Sequence, residues 1–265
     1  MMTEGLQWFA EEILLNDERH DLTKHLYGDE IGRVQLVQHW GTDATVVRSA
    51  RVSFGKDSKG EDLSGRDIKL IEYLIKNKHT STLEHCGMTF KFVVPLFVRS
   101  QHHRHRTWSY NEISRRYTDA GLMFYEPEQF RTQHKSNRQA SNSKELIDPV
   151  LSTKNEDHIE PVEQMPLCSA SSAVRGHHRN SLRLYDNLIE AGVCREQARG
   201  VLPQNLYTEY YGTCNLSNLL KFIDLRMHEG AQWEIRVVAE ACLEFARIFF
   251  PATVESYIEA RNRRD

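Results

Sequence analysis

The residues able to do chemistry concentrate in one stretch, Gln101 to Tyr117, which reads Gln-His-His-Arg-His-Arg-Thr-Trp-Ser-Tyr-Asn-Glu-Ile-Ser-Arg-Arg-Tyr. Arg104, Arg106, Arg115 and Arg116 stand beside His102, His103 and His105, with Glu112 as the lone acid and no lysine. Arginine grips phosphate or carboxylate with a planar fork, whereas lysine is a hydrated point charge. Ser109, Asn111 and Ser114 add neutral hydrogen-bonding groups, and Trp108, Tyr110 and Tyr117 add flat apolar faces. This mixture suits a planar, phosphorylated ligand held in a rigid pocket. A solvated basic face is the bland alternative. The apolar run Phe92 to Val98 argues against it, because a buried segment feeding into the stretch fixes its position.

Other chemistries find less support. Adjacent His102 and His103 point in different directions on a helix, and no carboxylate or cysteine stands at ligand spacing, so no metal is expected. Ser114 lies in no Gly-x-Ser-x-Gly elbow and has no visible base, so it reads as a phosphate binder rather than a nucleophile. His79 and His85 flank a loop, where a histidine is usually a hydrogen-bonder. Gly-x-Gly-x-x-Gly and P-loop patterns are both absent, so a bound dinucleotide would rely on side chains, chiefly arginines. The five cysteines (Cys86, Cys168, Cys194, Cys214, Cys242) form no Cys-x-x-Cys pair, which points away from disulfides and structural zinc.

These groups need a scaffold. Its net charge of −3 over 265 residues is not that of a wholesale nucleic-acid binder. No basic leader opens the sequence and no apolar run approaches membrane-spanning length, so a reduced, cytoplasmic protein without a membrane partner is expected. Leu6 to Leu15 has helical apolar spacing. Val34 to His39 alternates as a strand, and Gly41-Thr-Asp-Ala caps a helix through Val46, Val47 and Ala50. Ser64 opens a helix with Ile68, Ile71 and Ile75 on one face, ending near Asn77 before a polar loop, Lys78 to Thr82. Met88, Phe90 and Phe92 alternate as a strand. Pro95 ends that strand and starts a helix entering the arginine stretch. Residues 132–175 are polar and without apolar period, which reads as a mobile insertion. Helices are expected from Asn180 to Gly192, around Pro203 within Arg195 to Tyr211, from Leu216 to Met227 and from Ala231 to Phe250. The expected fold is one α+β domain spanning 1–265.

Arg104-His105-Arg106 followed after seven residues by Ser114, within Ser-Tyr-Asn-Glu-x-Ser-x-Arg-Tyr from Ser109 to Tyr117, resembles the signature of the flavin-dependent thymidylate synthases. The resemblance extends through Ser49 to Phe54, Lys78-His79 to Glu84-His85, Pro95 to Val98 and Gln101. It continues in Arg199 to Pro203, Asn205 to Thr208, Asn215, Leu225-Arg226 and Ala231-Gln-Trp-Glu-Ile235. Two positions depart from it: Ser217 stands where arginine is frequent, and Lys221 where asparagine or histidine is common.

The resemblance implies a central antiparallel sheet flanked by helices, and a homotetramer with sites shared between subunits. It implies methylation of dUMP to dTMP, with methylenetetrahydrofolate as carbon donor, FAD as cofactor reduced by NADPH, and no cysteine nucleophile. Ser81, Arg104, His105, Arg106, Glu112, Asn215, Leu216, Ser217 and Lys221 would contact FAD. Gln101, His102, His103, Arg104, Glu112, Ile113, Ser114, Arg115, Arg116 and Arg226 would bind dUMP, with Arg199 reaching in from a neighbouring subunit. Arg226, His79 and Ser114 would act at the reacting groups, His79 beside the flavin ring and folate. The alternative reading is a non-catalytic nucleotide or RNA binder using the same arginines and aromatics.

Overall fold

In the computed structural model, which describes residues 22–55, 62–138, 140–151 and 168–262, a five-stranded sheet carries the arginine stretch. Its strands are β1 (Thr23–His25), β2 (Arg33–Trp40), β3 (Gly87–Pro95), β4 (Ser109–Glu112) and β9 (Tyr207–Asn215), in the order β1-β2-β3-β9-β4. The β1/β2, β2/β3 and β4/β9 pairs are antiparallel. Thr89 meets Thr213 and Lys91 meets Glu209, so β9 also runs against β3. The fold is α+β with an antiparallel sheet, as the resemblance implies.

Central position explains the composition of β3. Buried on both faces, it places even Thr89 out of solvent beside Phe90 and Phe92. Each such aromatic contributes about 1.5–3 kcal/mol by leaving water. Gly212 on β9 is required by that packing, since a Cβ there would lie 2.8 Å from the Phe92 ring.

Contacts divide the chain into two compact units. The first contains the described residues of Met1–Val93, Gln101–Glu112 and Glu209–Asp265. Here α1 (Asp43–Arg51) starts at a capping box on Thr42, and α2 (Gly65–Lys76) at one between Ser64 and Asp67. On α2 the buried apolar residues are Ile71, Leu74 and Ile75, whereas Ile68, expected on the same face, is exposed. Lys78 to Thr82 is tighter than the expected loop: Thr80–His85 forms a 3₁₀ turn. The C-terminal helices are α6 (Leu216–Arg226), α7 (Trp233–Phe249) and α8 (Pro251–Asn262). Helix α7 packs on β2 and on α6, and α8 packs on α2. Buried Asp43 fastens the start of α8, accepting from the Ala252 and Thr253 amides and the Thr253 hydroxyl. The helix read over Leu6 to Leu15 lies outside the described residues.

The second unit contains Val94–Ser100 and the described residues of Ile113–Thr208. Its elements include α4 (Ala170–Glu190) and the short α5 (Arg195–Ala198). The Tyr125 amide donates to the Asn205 carbonyl, and the Asn205 side chain returns a bond of 2.9 Å to the Tyr125 carbonyl. Part of 132–175 is regular. β5 (Phe130–Gln133) pairs with β6 (Ser141–Ile147), β7 (Val150–Leu151) pairs with β8 (Cys168–Ser169), and α4 begins at Ala170. The hairpin strands are largely exposed, so no buried face imposes an apolar period. Residues 152–167 of that stretch lie outside the described ones. The helix expected around Pro203 is corrected: α5 and a 3₁₀ turn, Arg199–Val201, stop before it, and Tyr207 onward is β9. Among the described residues no helix is long and apolar enough to cross a membrane.

Candidate active site

Helix α3 (Leu96–His102) ends inside the arginine stretch, turns at 103–108, and hands over to β4. What fixes this turn is a buried aromatic box. The His102 imidazole, fully out of solvent, lies 4.7 Å from Phe92, 4.6 Å from Trp108 and 4.7 Å from Phe222 between ring centroids. Its Nδ1 bonds Tyr210 Oη at 2.8 Å. Burial pushes the His102 pKa far down and the Tyr210 pKa up, so the pair is neutral. The His102 ring, expected among the dUMP-binding residues, lies in the core. His103 lies against Tyr110, with ring centroids 4.1 Å apart and planes tilted by 31°. The Tyr110 hydroxyl donates to the His102 and His105 carbonyls, closing the turn.

The last residue of α6 reaches into that turn. Arg226 Nε donates to His105 Nε2 at 3.0 Å, and its Nη2 donates to the Gln101 carbonyl at 2.8 Å. Guanidinium only donates, so His105 Nε2 must accept and the ring proton sits on Nδ1. Burial, then the Arg226 charge, lowers the His105 pKa from the usual 6.5 to about 4. The ring is held neutral beside a cation. Arg226 is therefore not capping its own helix; it ties α6 to the arginine stretch, and Nη1 has no partner among the described residues.

The His105 shift has a sign that can be measured. The unfolded chain takes up a proton below 6.5 where the folded chain resists until about 4, so the folded state loses stability as pH falls across that window. His102 acts in the same direction. His105→Gln is expected to make the acid-side fall in melting temperature shallower, read by thermal unfolding from pH 7 to pH 4. An unchanged slope would show that His105 is not held neutral.

Arg104 and Arg106 are exposed, and among the described residues neither guanidinium has a partner. Glu112 ends β4 opposite Tyr210. Asn215 caps α6 by accepting from the Asn218 amide at 2.9 Å, and Leu216 is buried. The Ser217 hydroxyl is buried and, among the described residues, has no hydrogen-bond partner. Lys221 makes one long contact, 3.5 Å to Asn218. His79 precedes the 3₁₀ turn that carries exposed Ser81, and Tyr73 meets its ring edge-on at 5.7 Å. All of these lie in the first unit.

The remaining candidates lie in the second unit. The Ser114 hydroxyl accepts from the Arg116 amide, and its carbonyl accepts from the Tyr117 and Thr118 amides. Arg115 donates to the carbonyls of Ala120, Gly121 and Tyr207, so its guanidinium shapes the loop that follows. Arg116 pairs with Glu196 at 3.3 Å. Arg199 is exposed at the start of its 3₁₀ turn, and Ile113 is half-buried. Sequence reasoning missed Tyr210, Gln232 and Glu234 as supports of the site. A polar pair opening the apolar run of α7 was the available signal.

From residue 35 to residue 252 the sequence matches the family described as Thymidylate synthase complementing protein. The chain belongs to the flavin-dependent thymidylate synthase family. A flavin-dependent thymidylate synthase of Thermus thermophilus is 40% identical over 228 residues, 86% of this chain and 76% of that protein. One from Thermotoga neapolitana is 36% identical over 234 residues, 88% of this chain and 94% of that protein. Among solved structures, a UMP/dUMP methylase from Streptomyces cacaoi bound with 5-Br dUMP superposes with a TM-score of 0.69 at 32% identity. That match covers 85% of this chain and 94% of the methylase.

The flavin of this family's name fits the residues present. Two guanidiniums on either side of His105, without partners among the described residues, offer charge-assisted donors for a pyrophosphate in place of a glycine-rich loop. The buried, unpartnered Ser217 hydroxyl at the start of α6 adds a polar group in want of a ligand.

Proposed function

We propose that this chain as a whole methylates dUMP to dTMP, taking the carbon unit from methylenetetrahydrofolate, with NADPH reducing its FAD. The observation that carries this reading is Arg226: half-buried, anchored at two nitrogens and with Nη1 unpartnered among the described residues, it is a fixed donor held against a family-matched turn. When bound and reduced, FAD supplies the hydride. The chain's own residues do the rest. Arg104, Arg106, Glu112, Ser81 and Asn215 to Ser217 hold the cofactor, His105 offers its Nδ1 proton, and Lys221 adds charge at α6. Ser114 with Arg116 takes the dUMP phosphate, Arg199 of a neighbouring subunit adds to it, and Gln101 and Arg226 meet the pyrimidine. His79 stands by the ring and the folate.

A fixed guanidinium at a uracil carbonyl stabilises charge developing there as hydride adds to C6, in the manner of an oxyanion hole. No thiol is needed. Burial pushes the Cys86 thiol up to about 12 and raises those of Cys214 and Cys242, which sets these three against a thiolate role. Assembly as a cytoplasmic homotetramer, without nucleic-acid or membrane partners, completes the proposal.

The cofactor assignment is tested by Arg106→Ala. Loss of one charge-assisted donor should weaken FAD binding at least ~10-fold, read from flavin absorbance of the purified protein against free FAD. Unchanged FAD content would remove Arg106 from the site. A wild-type protein that cannot be loaded with FAD would favour the plain nucleotide binder.

A further inference from the structure

Gln101 is held twice. Its carbonyl accepts from Arg226 Nη2, and its side-chain Nε2 donates to Gln232 Oε1. Gln232 Nε2 in turn donates to Glu234 Oε2 at 2.9 Å. Glu234 is buried, and its backbone is fastened by the Tyr27 hydroxyl, which donates to the Glu234 carbonyl at 3.0 Å. Gln232 is the residue before α7 and Glu234 its second residue.

The direction of every bond in this chain follows from its terminus. A carboxylate oxygen accepts and does not donate, so Gln232 must turn its amino group toward Glu234. Its oxygen is then the only group it can offer Gln101. Gln101 must answer with its own amino group, which leaves the Gln101 Oε1 as a bare acceptor. Among the described residues that oxygen has no partner. An amide that could face either way is locked by a carboxylate two residues removed.

We infer that Glu234 and Gln232 are positioning residues that set the polarity of the Gln101 amide, so that the site selects a pyrimidine carrying N–H at N3 and rejects one carrying a lone pair there. The inference rests on the reading that Gln101 meets the dUMP base. On the uracil edge N3–H is the single donor, flanked by carbonyls. The Gln101 oxygen matches the donor, and the free Arg226 Nη1 matches a carbonyl. Cytosine presents an acceptor at N3 and would face the Gln101 oxygen lone pair to lone pair. An acceptor at N3 keeps that nitrogen protonated, so Arg226 acts by polarising the carbonyl.

The test is calorimetric titration of the FAD-loaded full chain with dUMP and dCMP, which share phosphate and sugar. Wild type should prefer dUMP by at least ~100-fold, as expected where a buried polar contact is mismatched. Glu234→Gln offers both a donor and an acceptor, so the relay can reverse and Gln101 can present its amino group. In that variant dCMP should bind about 10-fold more tightly than it does to wild type, with dUMP weakened only a few-fold. Gln232→Met, which cuts the relay, should also narrow the preference while retaining FAD. Capping of α7 alone would weaken both nucleotides equally. An unchanged ratio of affinities in both variants therefore overturns the inference. Wild-type protein that loads FAD but binds neither nucleotide overturns the dUMP reading itself.

Discussion

Arg226→Lys is expected to leave FAD bound and to cut dTMP formation by at least ~100-fold, comparable to the loss of one preorganised donor. Lysine keeps the charge but has no fork. Its three donors radiate from one nitrogen, so they cannot reproduce the spread by which Arg226 Nε and Nη2 hold the His105 ring and the Gln101 carbonyl while Nη1 points elsewhere. The consequence spreads, because His105 owes part of its neutrality to this neighbour and Gln101 owes part of its anchoring. Turnover of the purified, FAD-loaded variant is the readout. Near-wild-type turnover would reduce Arg226 to a link between α6 and the turn.

Gly87→Ala is expected to lower stability by about 3 kcal/mol, the upper end of overpacking, and the melting temperature by roughly 6–12 °C. Gly87 pairs with Trp40 in the register of β2 and β3. A Cβ there would stand 2.5 Å from the indole Cζ2 and 2.7 Å from Cη2, and would also collide with the Cys214 carbonyl. The indole can swing, but the carbonyl is backbone at the end of β9, one residue before the Asn215 cap of α6. Relief of that clash moves the start of α6. Thermal unfolding and FAD content should therefore fall together; a melting temperature within a degree or two of wild type would show that the strand ends yield freely.

Elements with a local cause were legible. Thr42 and Ser64 announce their helices because capping is written within four residues. β3 announces itself through Met88, Phe90 and Phe92. The missed strand, β9, begins a few residues after Pro203 and reads Tyr-Thr-Glu-Tyr-Tyr-Gly-Thr-Cys-Asn. Its burial does alternate, but a glycine, Gly212, stands on the buried side and an aromatic, Tyr211, on the exposed side, which hides the period. The arginine stretch was recognisable as a site, yet its roles were not separable by residue type. His102 and His105 are three apart and chemically identical. One fills an aromatic core and the other bonds Arg226, a difference set by Tyr210 and α6, both more than 100 positions away. The Glu234 relay was illegible for the same reason: it reaches the arginine stretch through a contact between Gln101 and Gln232, 131 residues apart.

The measurement that bears most directly on the activity is dTMP formation by the FAD-loaded protein under anaerobic conditions, with dUMP, methylenetetrahydrofolate and NADPH supplied together and then each withheld. The account predicts dTMP only when all are present, and its loss when FAD is stripped. Folded, FAD-loaded protein that makes no dTMP from the complete mixture, or that makes it equally well without flavin, would contradict it.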